Sequence, residues 1–177
     1  MRPVEPADFD AIAALTNHFI VNTSIHFGYD PVTPDDLRAS WEQSRGRYPY
    51  LVAEIGEAPA RLIGYAKSGP WRDRAAYQWT AEAGIYVAPD MHGRGTGRRL
   101  YAELIAECRR RGFHSLVGGV TQPNDASMRL HESLGFVRVG CFRHAGWKLG
   151  AWHDVMWWQL MLRDEGHTAG RLPDAIP

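Results

Sequence analysis

The chain has 177 residues, 45% of them hydrophobic, and its 20 Lys+Arg are balanced by 20 Asp+Glu. That length suits one domain with a real core, and the balanced charge argues against a general nucleic-acid binder, which carries a basic excess. Two cysteines, Cys108 and Cys141, are too few for a disulfide framework or a zinc ribbon, and with no basic-then-apolar leader and no apolar run long enough to span a bilayer they point to a cytoplasmic protein without a membrane partner.

In chain order, residues 1–6 read as a short first strand. Phe9, Ile12, Phe19 and Ile20 give one apolar face and predict a helix over about 8–22. A second helix opens at Thr33-Pro34-Asp35-Asp36: Thr33 can cap it, Pro34 fits the first helical position, and the acids suit the positive end. Two strands follow, 50–55 and 62–66, joined through Glu57-Ala58-Pro59-Ala60. A longer strand covers roughly 77–87 and stops at Pro89-Asp90.

A glycine-rich loop leads into the strongest helix, where Gly97, Leu100, Tyr101, Leu104, Ile105 and Cys108 recur at helical spacing. Arg109, Arg110 and Arg111 sit at its negative end and Gly112 can close it. A strand at 114–120, a helix at 124–134 ended by Gly135, and strands near 136–142 and 155–162 complete the pattern. This order predicts an α/β fold, a mixed sheet with helices on both faces, in a single domain over 1–162. Residues 163–177 read as a polar tail.

The loop His92-Gly93-Arg94-Gly95-Thr96-Gly97-Arg98 lies between a strand and an amphipathic helix. Glycines let the backbone approach a ligand and turn its N–H groups inward, and the helix start adds partial positive charge. Three arginines, one histidine and no acid between His92 and Arg99 favour a pyrophosphate. The pattern is neither G-x-x-x-x-G-K-[ST] nor G-x-G-x-x-G. On these residues alone, a plain glycine turn before a solvated arginine-rich helix also stands. Eight histidines are scattered without metal-ligand spacing, so no metal is expected.

This loop resembles the pyrophosphate loop Q/R-x-x-G-x-G/A of the GNAT acetyltransferases, with His92 where glutamine or arginine is usual. The chain is similar in particular to the phosphinothricin and methionine sulfoximine N-acetyltransferases. The likeness runs over residues 2–162: Asn17-His18 with Phe27, the segments 47–54 and 69–82 with its Tyr77-x-Trp79-Thr80-Ala81-Glu82, then 123–132 and Trp152-His153-Asp154-Val155. The resemblance implies a mostly antiparallel mixed sheet of about seven strands, acetyl-CoA as cosubstrate, a small amino-acid-like acceptor, a homodimer and a role in detoxification.

It also implies roles for single residues. Acetyl transfer to an amine needs a base for the ammonium, stabilisation of an oxyanion, and a proton for the leaving thiolate. Glu82 is the implied base, and strand alternation puts it on one face with Tyr86, opposite Ile85 and Val87. His131, where many relatives carry tyrosine, is the implied thiolate acid or oxyanion stabiliser. It shares a helix face with Asn124 and Ser127, which are expected on the cofactor. The strand backbone at Ile85, Tyr86 and Val87 is expected to pair with the pantetheine, beside the loop residues 92–98.

For the acceptor, Arg72 and Arg74 offer guanidinium groups for a carboxylate, with Phe27, Tyr77 and Thr121 completing the pocket. From the residues alone, Glu82 also reads as a strand carboxylate in an ion pair, His131 as a surface helix histidine, and the two arginines as an exposed loop. Two other functions stay open: acetylation of a protein N-terminus or polyamine, and a non-catalytic acyl-CoA-binding module.

Overall fold

The computed structural model describes residues 1–163. Its elements run β1 (Arg2–Pro3), α1 (Phe9–Asn22), α2 (Pro34–Ser44), β2 (Tyr50–Ile55), β3 (Arg61–Pro70), β4 (Thr80–Val87), α3 (Thr96–Arg110), β5 (Ser115–Thr121), α4 (Asp125–Ser133), β6 (Val137–Lys148) and β7 (Ala151–Met161). The seven strands form one sheet in the order β1-β2-β3-β4-β5-β7-β6. Every neighbouring pair is antiparallel except β4 with β5.

The two apolar stripes anticipated in the helices settle on opposite sides of this sheet. Leu100, Tyr101, Leu104 and Cys108 of α3 are fully buried in one cluster with Ala81, Ala83 and Leu116. Phe9 and Ile12 of α1 are fully buried in the other with Val52 and Tyr65. Burying side chains of this size stabilises the fold by about 1.5–3 kcal/mol each. α2 begins as its sequence dictates: Thr33 Oγ1 accepts from Asp36 N–H at 3.1 Å while the Asp36 carboxylate reaches back to the cap. An Arg2 guanidinium held 2.7 Å from both Asp8 and Glu54 fastens the N-terminus to β2.

Three boundaries differ from expectation. Tyr77 belongs to a 3-10 turn, Ala75–Tyr77, and β4 starts only at Thr80. The aromatic spacing Tyr77/Trp79 mimics a strand, but the Tyr77 ring turns back onto Trp71 at 5.1 Å. β3 continues past Ala66 to Pro70 because β4 keeps pairing with it. β6 and β7 form one long hairpin about Leu149 and Gly150, whose φ values of 51° and 77° make a two-residue turn. Most of β6 is exposed on both faces, so it carries no amphipathic alternation by which its length could be read. The tail expected at 163–177 lies, beyond Arg163, outside the described residues.

Candidate active site

β4 faces two ways. Its register with β3 runs without a shift from Gly64↔Val87 to Pro70↔Ala81, so its side chains alternate strictly. Ala81, Ala83, Ile85 and Val87 pack toward the α3 core. Glu82 and Tyr86 share the other face, where the Tyr86 ring lies 5.1 Å from Tyr65 and 5.3 Å from Phe19.

β4 pairs with β5 only at Thr80↔Ser115, Ala81↔Leu116 and Glu82↔Val117. Beyond these, β4 remains with β3, and β5 remains with β7 as far as Thr121↔Val155. The two parallel strands therefore part immediately after Glu82. The wedge between them is walled by residues 83–86 and 119–121 and reaches Tyr101, Asn124, Ser127 and His131. It shares Ile85, Tyr86, Asn124 and Ser127 with a wider cleft of about 330 Å³ that ends at the glycine loop.

In that loop Gly93 and Gly95 have φ of +73° and +77°, a left-handed backbone that an L side chain enters only with strain, and a Cβ at either would meet open space. Gly95 caps α3 without a side-chain bond, so the first N–H groups of the helix are unclaimed. His92 Nε2 donates to the Val87 carbonyl at 2.9 Å, which ties the loop to the end of β4. Of the residues expected on the cofactor, Ile85, Tyr86, Val87, His92, Gly93, Gly95, Thr96, Gly97, Arg98, Asn124 and Ser127 line this one cleft. Arg94 does not. An extended ligand with a diphosphate at the loop and a thioester in the wedge fits this cradle of unpaired N–H groups and cations.

Asn124 Oδ1 accepts from Ser127 N–H at 3.1 Å, capping α4. His131, buried within α4, has Nδ1 2.8 Å from the Ser127 carbonyl and Nε2 3.3 Å from the Tyr101 hydroxyl. A carbonyl can only accept, so Nδ1 carries the proton and Nε2 offers a lone pair. Burial holds the imidazole below its usual pKa, more than the Ser127 bond raises it. His131 therefore rests neutral, and it must take up a proton before it can give one.

On the other face, Glu82 and Tyr86 stand between two cavities. One, about 770 Å³, runs beneath α2 past Arg47, Tyr50 and Lys67. The other, about 430 Å³, is lined by His26, Phe27, Phe142 and Trp157. Burial raises the Glu82 carboxyl above the usual range, and Lys67 partly offsets it. Phe27 is fixed by contact, since a Cβ on Gly146 would collide with its ring. The Lys148 ammonium, buried, donates to the Ile20 and His26 carbonyls and pins the loop that carries Phe27.

The remaining acceptor residues are not brought to Glu82. Arg72 is exposed and stacks on Trp71, its guanidinium carbon 5.0 Å from the ring centroid. Arg74 is exposed at the start of the 3-10 turn that folds Tyr77 away. None of the three lines either cavity around Glu82. Thr121 lines the wedge with Asn124 instead. Lys67, Arg47 and Tyr101 were not anticipated at the site. Tyr101 was hidden in the apolar stripe of α3, where only its hydroxyl, which demands a buried partner, marks it out. Among the described residues no cluster of three or more His, Cys, Asp or Glu could hold a metal.

The family model for the acetyltransferase (GNAT) family matches residues 14–136. The chain is 41% identical over 159 residues to a phosphinothricin N-acetyltransferase of Streptomyces viridochromogenes, covering 90% of this chain and 85% of the relative. It is 38% identical over 177 residues to an L-methionine sulfoximine/L-methionine sulfone acetyltransferase of Salmonella typhimurium, covering 99% and 98%. An acetyltransferase of Salmonella typhimurium solved with acetyl-CoA superposes with a TM-score of 0.88 at 36% identity, covering 98% of this chain and 96% of that one.

Proposed function

The chain belongs to the GNAT acetyltransferase family and is an acetyl-CoA-dependent N-acetyltransferase, and we propose that its acceptor is the amine of a small amino acid of the phosphinothricin or methionine sulfoximine kind. The carrying observation is the fork after Glu82, which sets a phosphate cradle on one side of β4 and a desolvated carboxylate on the other.

In this reading the amine attacks the thioester directly while both substrates are bound. No enzyme nucleophile is needed: Cys108 is buried with its thiol pushed up to about 12, and Cys141 lies exposed on β6, away from the fork. Glu82 accepts the first ammonium proton, directly or through water; its raised pKa brings it nearer to that of the proton it must take. The backbone of residues 85–87 and the loop 92–98 hold the cosubstrate, with Asn124 and Ser127 on its flank. His131 Nε2, resting as a lone pair beside Tyr101, takes the second amine proton as the tetrahedral intermediate collapses and passes it to the departing thiolate.

We assign the apolar part of the acceptor side chain to the Phe27 cavity. A homodimer fits the exposed Val137, Val139, Phe142, Trp147 and Trp152 of the β6–β7 hairpin, an apolar surface that a second copy would cover. Arg72 and Arg74, exposed in one copy, are left to meet the acceptor in such an assembly. The two reduced cysteines fit a cytoplasmic enzyme, and no helix among the described residues is long and apolar enough to cross a membrane.

The test is release of free thiol from acetyl-CoA across a panel of amines. Turnover is expected with phosphinothricin, methionine sulfoximine and methionine sulfone. Turnover confined to spermidine or peptides would overturn the acceptor.

A further inference from the structure

Lys67 lines the cavity beneath α2 with Glu82. It lies on β3 with its Cα opposite Gly84, hence on the same face as Glu82 and Tyr86 and diagonal to Glu82. It is half-buried, and among the described residues no carboxylate lies within 4.0 Å of it. Its ammonium sits 5.8 Å from the Tyr50 ring centroid, and the Tyr50 hydroxyl is buried without a partner. Arg47 lines the same cavity and also keeps a buried Nε without a partner. Glu82 is the sole acid in the lining of that cavity.

The space around this pair is empty by sequence. Gly84 faces Lys67 and Gly69 faces Glu82 across the strands, and a Cβ at either glycine would meet nothing within 4 Å. A half-buried cation without a salt-bridge partner costs solvation that a core position would avoid with an apolar residue, and the Tyr50 ring offsets only part of it. Here it is set one strand diagonal, about 7–8 Å between backbones, from the carboxylate that receives the amine. A group carrying both an ammonium and an oxyanion bridges such a gap, with each end on its opposite charge.

We propose that Lys67 is the specificity-determining cation of the acceptor site and holds an oxyanion of the acceptor, its α-carboxylate or an acidic side chain, while Glu82 receives the amine. This rests on the amino-acid acceptor proposed above, and it gives to β3 the role that the sequence had lent to Arg72 and Arg74. Burial lowers the Lys67 pKa and Glu82 opposes that shift, so a bound anion would hold the lysine charged.

The experiment compares wild type, Lys67→Gln, Lys67→Met and Lys67→Arg on phosphinothricin, methionine sulfone and methionine amide, with thermal unfolding and acetyl-CoA calorimetry confirming an intact fold. Loss of one charge-assisted contact should raise KM about tenfold or more in the Gln and Met variants, with kcat little changed and the Arg variant largely restored. A rise for both acids but not for the amide assigns the α-carboxylate; a rise for phosphinothricin alone assigns the acidic side chain. Wild-type turnover on amino acids with unchanged KM in the variants, or an equal rise for the amide, would overturn Lys67 and leave the acceptor class standing. A wild type that acetylated only the amide would overturn both.

Discussion

Gly118 stands on β5 one residue past its last pair with β4. A Cβ there would lie 2.8 Å from His131 Nε2 and 3.5 Å from the Tyr101 hydroxyl. For Gly118→Ala the imidazole would have to retreat by about 0.6 Å, the step from 2.8 Å to the 3.4 Å at which ordinary contact begins. It has little freedom to do so. Nδ1 is tied to the Ser127 carbonyl at 2.8 Å, Phe136 meets the ring edgewise at 4.9 Å, and Trp158 stacks on it at 5.9 Å. Forcing one methyl into such a core costs about 1–3 kcal/mol, which for a chain of this length lowers Tm by about 2–12 °C. The same shift pulls Nε2 out of line with Tyr101, so turnover should fall by about tenfold or more if that nitrogen relays the thiolate proton. Scanning calorimetry and thiol release on the same samples read both effects, with acetyl-CoA affinity as the control. A Tm within about a degree of wild type, together with unchanged turnover, would refute the packing and the relay at once.

Four further outcomes are expected. Glu82→Gln should lower kcat by about 10²–10³-fold; in the wild type kcat/KM should decline as pH falls through the raised Glu82 pKa, and Lys67→Gln, which removes the offsetting charge, should move that limb to higher pH. A limb that stays put would separate Lys67 from Glu82. His131→Ala should cut turnover by about 10²-fold with cosubstrate affinity nearly intact, and an unchanged rate would remove it from the mechanism. Gly95→Ala places a side chain at φ +77°, at about 1–2 kcal/mol, so the acetyl-CoA Kd by calorimetry should rise roughly tenfold; equal affinity would show that the loop does not need this backbone. At Asp8, burial pushes the carboxyl up, but the Arg2 bond and the Glu5 N–H outweigh it and its pKa is lowered on folding. The stability it contributes is present above the unfolded value near ~3.9 and is lost as pH falls through the lower folded value. Arg2→Gln should therefore move acid unfolding, followed by circular dichroism, to higher pH; an unmoved midpoint would show the pair to be idle.

The sequence made the helices and the loop legible because their signals are local. Thr33 through Asp36 encode a cap within one turn, and the α3 stripe declares its own period. The alternation of β4 was legible for the same reason, and Glu82 with Tyr86 fell on the face that counting by two predicts. What stayed hidden depends on partners far along the chain. Lys67 reads as the polar end of an apolar run until Gly84 is known to stand opposite it. Tyr101 reads as core until His131 arrives thirty residues later. Arg72 and Arg74 were drawn toward the site by the chemistry of guanidinium alone, and nothing local foretold the 3-10 turn after which neither lines a cavity around Glu82 within one chain.

The fork itself follows from sheet geometry rather than from any one residue. Antiparallel ladders hold β4 to β3 over seven pairs and β5 to β7 over seven, while the parallel contact between the two halves has three. Adjacent strands twist relative to one another, so two half-sheets joined only over Thr80–Glu82 diverge beyond it. Gly118 and Gly119 follow at that point on β5, where a side chain at the first would strike His131 and at the second would touch Val155 and Trp157 at ordinary contact distance. The divergence leaves the main-chain groups of residues 83–87 on the β5 side without a strand partner, which a buried sheet does not tolerate unless something else bonds them. A ligand with amides in its chain is such a partner. In the function proposed above, the carboxylate that ends the pairing is thereby held beside the reactive end of that ligand, and β4 is the wall through which the two substrates would meet.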